Sequence, residues 1–154
     1  IQFKSFYPHR IIVTGRINQY LSAFGEHVIV KEVEKAIEKA IIQTVSVVNE
    51  FTVAPRFKTD KKHACHEWFI EFGTEFRNNK RFAEVLNSEL KAQNKYYKDL
   101  IDGNIISKPV ITQVCPGGFK KYMQHIGKLG GQNKIPKIAN DREIASLLEN
   151  LKLI

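Results

Sequence analysis

The stretch Gly127-Lys128-Leu129-Gly130-Gly131-Gln132-Asn133-Lys134-Ile135-Pro136-Lys137 sets three lysines and three glycines within eleven residues. Glycines let backbone N–H groups approach an anion without interference from a Cβ, and lysines draw negative charge, so the chemistry indicated is phosphate binding. It is not a P-loop, because no Gly-Lys is followed by Ser or Thr at the required spacing. Taken alone, the same composition also describes a solvated surface connection. Arg16 follows Gly15 at the end of a short β-branched run. There it can present a planar fork of donors to a phosphate or carboxylate, the plain alternative being a solvated arginine.

Other reactive residue types point to less. Glu26, in the turn Phe24-Gly25-Glu26, has no partner visible in the spacing, so no general acid or base is inferred there. His63, Cys65 and His66 could be read as ligands, but Cys65 and His66 fall on opposite faces of a strand, and no metal site is expected. No serine sits in a nucleophile elbow and Cys115, beside Pro116, has no identifiable base, so covalent catalysis is not expected. Trp68, Phe69 and Phe72 are expected in the core rather than on a base-stacking platform.

These residues need a framework, and the chain can supply one. Its 154 residues, 43% hydrophobic, fit one domain with a real core. The net charge of +8 is unevenly spread: Cys115 to Arg142 holds six basic residues against one acid, which makes the C-terminal third the anion-facing side. No run approaches the roughly 18 apolar residues of a membrane span, and the opening Ile1-Gln2-Phe3-Lys4 is unlike a signal peptide. Two cysteines are too few for a disulfide scaffold, so the reducing cytoplasm is the expected location.

The element pattern follows from apolar periodicity. Arg10 to Thr14 reads as a strand closed by Gly15. From Val30, apolar Val33, Ile37, Ala40 and Ile41 recur at helical spacing. The period then becomes two, with Val45, Val47, Phe51 and Val53 on one face of a strand. After Pro55 and a basic loop, His66, Trp68, Ile70 and Phe72 face opposite to Glu67 and Glu71, which predicts an antiparallel hairpin. Asn78 or Asn79 caps a second helix carrying Phe82, Val85, Leu86 and Leu90, extending to Tyr97 and closed at Asp102-Gly103. Val110 to Val114 is the last strand, followed by a short helix with Phe119 and Met123 on one face. Asn140 is expected to cap a terminal helix, with Glu143 completing a capping box. The predicted fold is α+β: a ferredoxin-like β-α-β-β-α-β sandwich with helices on one face and two additional C-terminal helices.

Five segments together resemble the acyl-acid amido synthetases of the auxin-responsive-promoter type, within the adenylate-forming ligase superfamily, and most closely their bacterial branch. They are Val13-Thr14-Gly15-Arg16-Ile17, Ala23-Phe24-Gly25-Glu26, His66-Glu67-Trp68-Phe69-Ile70-Glu71-Phe72, the Gly127 to Lys137 loop, and Asn140-Asp141-Arg142. Their order also agrees, and the resemblance runs from about Phe3 to Leu148. It implies that residues 1–154 are a C-terminal lid domain, with residues 1–20 containing the hinge from a large N-terminal ATP-binding domain not included in this sequence. The reaction implied is formation of an acyl-adenylate from ATP and a carboxylic acid, then transfer to an amine, usually an amino acid. ATP and Mg2+ would be bound mainly by the large domain, so this fragment alone is expected to be inactive.

By position, the resemblance assigns Lys134 as the catalytic loop lysine. It assigns Arg16, Lys128, Gln132 and Lys137 to nucleotide and phosphate contacts, and Gly15 and Asn18 to the hinge. Lys137 stands where relatives often have arginine, which removes bidentate geometry there. The implied partners are the large domain, ATP and small acid and amine substrates, with no membrane and no nucleic acid. The alternative is a stand-alone phosphate- or nucleic-acid-binding ferredoxin-like module, although the aromatic signature strand of RNA-binding domains is missing.

Overall fold

The periodicity around Trp68 produces the centre of the fold. In β6 (Cys65–Phe72) every residue is buried, and side chains alternate between two different cores. A computed structural model of the chain describes residues 2–12, 20–60 and 62–154. Gly15, Arg16 and Asn18 lie outside the described residues.

β6 pairs antiparallel with β5 (Val48–Arg56) and parallel with β7 (Ser107–Val114), giving a three-stranded sheet in the order β5-β6-β7. On one face, Trp68, Ile70 and Phe72 join Phe51 and Val53 beneath α1 (Val30–Thr44) and α2 (Asn79–Gln93). On the other, Phe69 and Ala54 lie beneath α4 (Gly118–His125) and α5 (Glu143–Asn150), which bring Phe119, Met123, Ile144 and Leu148. Helices therefore cover both faces, not one. The two C-terminal helices carry apolar stripes of their own and have the second sheet face as their nearest apolar surface.

The α+β class predicted from the sequence holds, as does the order of elements. The strand expected at Arg10 to Thr14 is found as β2 (His9–Ile12), paired with β1 (Gln2–Phe6) in a separate hairpin rather than in the central sheet. Phe3, Phe6 and Ile11 are exposed in it, so the hairpin has no apolar face committed to either core. A second short pair, β3 (Tyr20–Leu21) with β4 (Val28–Ile29), leads into α1.

Local chemistry set three boundaries that periodicity misplaced. Val45 is not in a strand; it ends α1 with φ of 51°, and β5 begins at Val48. The second predicted helix is two. Asn94 breaks it and accepts a hydrogen bond from the Tyr97 backbone N–H (2.8 Å), opening α3 (Lys95–Asp102). Asn140 does not cap α5, because its side chain is engaged elsewhere; Asp141 Oδ1 accepts from the Glu143 N–H instead (3.0 Å). Among the described residues no helix is long and apolar enough to cross a membrane.

Candidate functional site

The lysine-rich loop leaves α4 at Gly127, where the Gly127 and Lys128 N–H groups donate to the Gln124 (3.1 Å) and Met123 (2.9 Å) carbonyls, and it is anchored to the core at its far end. Ile135 is buried in the second core, and the Pro136 carbonyl accepts a hydrogen bond from Thr52 Oγ1 (2.7 Å). Val53 N–H then donates to the Lys137 carbonyl (3.1 Å) and Ala139 N–H to the Val53 carbonyl (2.8 Å), so residues 137–139 run parallel along the outer edge of β5. Residues 128–134 are exposed by contrast. Gly130 and Gly131 have φ of 89° and 66°; no atom lies within 4 Å of an added Cβ, so backbone conformation rather than space calls for glycine. Lys134 thus stands at the junction, its backbone fixed by the buried neighbour and its ammonium free to reach outward.

Inside this loop lies a cavity of about 320 Å³. Phe119 and Met123 of α4 form an apolar wall, Glu50 and Glu71 come from the sheet, and Lys120, Lys128 and Lys134 are the cations of the lining. Both carboxylates are engaged. Glu71, buried, accepts from the backbone N–H groups of Gly117 (3.0 Å) and Phe119 (3.2 Å), satisfying the first turn of α4. Gly118 between them has no room for a side chain, since a Cβ would come within 2.4 Å of Val114 Cγ1. Glu50 is paired with Lys137, whose ammonium also lies 4.5 Å from the centre of the Phe51 ring. Among the described residues, Lys120, Lys128 and Lys134 make no ion pair, so the cavity presents cations to a ligand.

Of the residues expected to meet phosphate, the structure brings together Lys128 and Lys134. Gln132 is exposed and outside the cavity lining, and Lys137 is held at its edge by Glu50. Sequence reasoning missed Glu50, Glu71, Lys120 and the Phe119–Met123 wall. A signal was available for Glu71: a carboxylate inside a strand whose every residue is buried must have specific partners.

Two further clusters hold the loop and the entry segment in place. Arg142 Nη1 donates to Glu67 Oε2 (2.7 Å) and to the Pro55 carbonyl (3.2 Å), while Thr112 Oγ1 donates to Glu67 Oε1 (2.7 Å). Burial pushes the neighbouring Cys65 thiol up, which leaves it a poor nucleophile. Asn140 takes a hydrogen bond from the Ser22 N–H (2.9 Å) and gives one to the Tyr20 carbonyl (2.6 Å). This joins the end of the lysine loop to the segment just after the expected hinge positions.

Glu26, with no partner close by in the chain, has one in space. His66 Nε2 lies 2.8 Å from its Oε1, and its Oε2 accepts from the Phe24 N–H (2.8 Å). Both side chains are essentially inaccessible, at 1% and 0%. His66 also packs against the Tyr97 and Phe24 rings, so it tethers the entry segment to β6, while Cys65, next to it in the strand, falls on the opposite face.

A two-layered core around a small sheet, with a cation-lined cavity under an anchored glycine-lysine loop, defines an α+β domain that offers positive charge to a ligand. The sequence matches the GH3 family C-terminal domain over residues 31–143, and the chain belongs to that family. Among solved structures, a GH3.15 acyl acid amido synthetase superposes with a TM-score of 0.69 at 21% identity, covering 88% of this chain and 27% of that one. An AtGH3.15 acyl acid amido synthetase in complex with 2,4-DB gives 0.67 at 20% identity, covering 88% and 26%. This chain therefore spans about a quarter of the length of the solved structures it matches, and at these identities the likeness bears on the fold. A search of curated protein sequences found no match.

Proposed function

We propose that the chain is the lid of an ATP-dependent, acyl-adenylate-forming ligase that joins a carboxylic acid to an amine, an amino acid in the expected case, and works in the reducing cytoplasm. The observation that carries this reading is the placement of Lys134: exposed, without an ion pair among the described residues, at the mouth of a cavity, on a backbone pinned by Ile135 and Pro136. A loop merely solvated would not need that anchorage.

In the first half-reaction a carboxylate oxygen of the acid attacks the α-phosphorus of ATP, and the bond to pyrophosphate breaks. Lys134 offsets the charge that develops on the phosphoryl oxygens, and its pinned backbone lowers the reorganisation this requires. Lys128 and Gln132 on the same loop, Lys137 at its edge and Arg16 near the hinge supply the surrounding phosphate contacts. In the second half-reaction the amine nitrogen attacks the acyl carbon, AMP leaves with the former carboxylate oxygen, and the amine loses a proton to water. Glu50 and Glu71 are already engaged, so this chain suits the phosphate and leaves Mg2+, which accompanies ATP, to the large domain. Gly15 and Asn18 would mark the hinge to that domain.

Oxygen labelling tests the reaction class. With an acid substrate carrying 18O in its carboxylate, the full-length enzyme should place one label in AMP for each amide formed. Label recovered in inorganic phosphate, with ADP as the nucleotide product, would reject adenylation.

A further inference from the structure

Residues 137–140 repeat one hydrogen-bonding pattern on two neighbours. Val53 spans Lys137 and Ala139: its N–H donates to the Lys137 carbonyl (3.1 Å) and its own carbonyl accepts from the Ala139 N–H (2.8 Å). The Asn140 carboxamide spans Tyr20 and Ser22 in the same way, Nδ2 donating to the Tyr20 carbonyl (2.6 Å) and Oδ1 accepting from the Ser22 N–H (2.9 Å). A residue of a parallel strand bonds its neighbour's residues i and i+2 in this manner, so the side chain substitutes for a peptide group at the edge of β3. A carboxamide offers the donor and the acceptor side by side, whereas an aspartate could not donate to Tyr20. Leu21 and Ile138 are both buried in the first core, which brings the two segments together. Apolar contact is not directional, so the register between them comes from Asn140.

We propose that Asn140 is a positioning residue: it locks the lysine loop in register with the segment that leaves the expected hinge, so that loop and entry segment move as one body. This deepens the ligase reading and rests on it for its kinetic consequence. Tyr20 is two residues beyond Asn18, and Lys134 is six residues before Asn140, with Ile135, Pro136 and Lys137 anchored between them. Loosening the clasp therefore frees the anchored stretch at one end and displaces the Lys134 ammonium relative to the hinge. A displacement of about 1 Å can cost on the order of 10²-fold in rate without any change in the reacting groups.

In the full-length enzyme, Asn140→Ala should lower turnover in adenylate formation by about tenfold, with KM for ATP held within about twofold. In a Lys134→Ala background the same change should cost less than about twofold, because the group it positions is already gone. Asp141→Ala is the control: it removes a neighbouring exposed hydrogen bond, to the Glu143 N–H, and should lower the thermal midpoint comparably while leaving turnover unchanged. Amide hydrogen exchange in the same proteins reads the clasp independently of the reaction. In Asn140→Ala, exchange should quicken by roughly tenfold, the equivalent of one lost hydrogen bond, not only at Ser22 but also at Val53 and Ala139, whose hydrogen bonds Asn140 does not make. Equal fold-losses in both backgrounds, none included, a turnover loss matched by Asp141→Ala, or faster exchange confined to Ser22 would each overturn the proposal. If the oxygen-labelling test rejects adenylation, exchange at Val53 and Ala139 still decides whether loop and entry segment are coupled, so the two ideas fail separately.

Discussion

In the full-length enzyme, Lys134→Ala should lower turnover in adenylate formation by roughly 10²–10³, the usual cost of one preorganised stabilising group in a closed site. Folding should hardly notice. Lys134 is exposed and makes no ion pair among the described residues, and the loop's anchorage comes from Ile135, the Pro136 carbonyl and the β5 edge. The expected change in stability is therefore within about 0.5 kcal/mol, the range of ordinary surface substitutions. Stopped-flow pyrophosphate release and a thermal melt on the same preparation measure both quantities. A loss of only a few-fold would make the loop a solvated connection, and a large fall in midpoint would make Lys134 structural.

His66→Ala should do the reverse and strike stability. It leaves the Glu26 carboxylate buried at 0% exposure with only the Phe24 N–H as a donor. Removing one partner of a buried hydrogen bond strands the remaining polar group at about 1–3 kcal/mol, and deleting the packed ring leaves a cavity that adds about 2 kcal/mol. At about 2–4 °C per kcal/mol for a chain of this size, the midpoint should fall by roughly 10 °C. Adding Glu26→Gln to His66→Ala replaces the stranded carboxyl with a neutral amide, which is cheaper to bury, so the double variant should be more stable than the single one. Denaturant melts of the three proteins test this; a His66→Ala loss below about 1 kcal/mol would mean that water reaches Glu26 and solvates it.

The tether also explains what was legible in the sequence and what was not. Helical and alternating periods record which face of an element is buried, and they located α1, β5, β6, α2 and β7 and put Trp68 and Phe72 inside. They carry nothing about which polar side chains meet. Glu26 and His66 are 40 residues apart, and Asn140 reaches back 118 residues to Ser22, so neither pairing leaves a local trace. Glu143 three residues after Asn140 imitated a capping box, but Asp141 was nearer the exposed N–H and Asn140 had a better use. The loop itself was readable because its glycines and lysines cluster within eleven residues of sequence. Its charge balance was not, since Glu50 reaches Lys137 across 87 residues and Lys120 comes from another element.

A domain that completes an adenylating site whose larger part lies in another domain should not run the first half-reaction by itself. ATP–pyrophosphate exchange measures that directly, in the isolated 154-residue chain and, beside it, in the full-length enzyme with its acid substrate. Exchange is expected from the full-length enzyme and none from the folded lid. Robust, acid-dependent exchange by the pure isolated chain would contradict the lid reading.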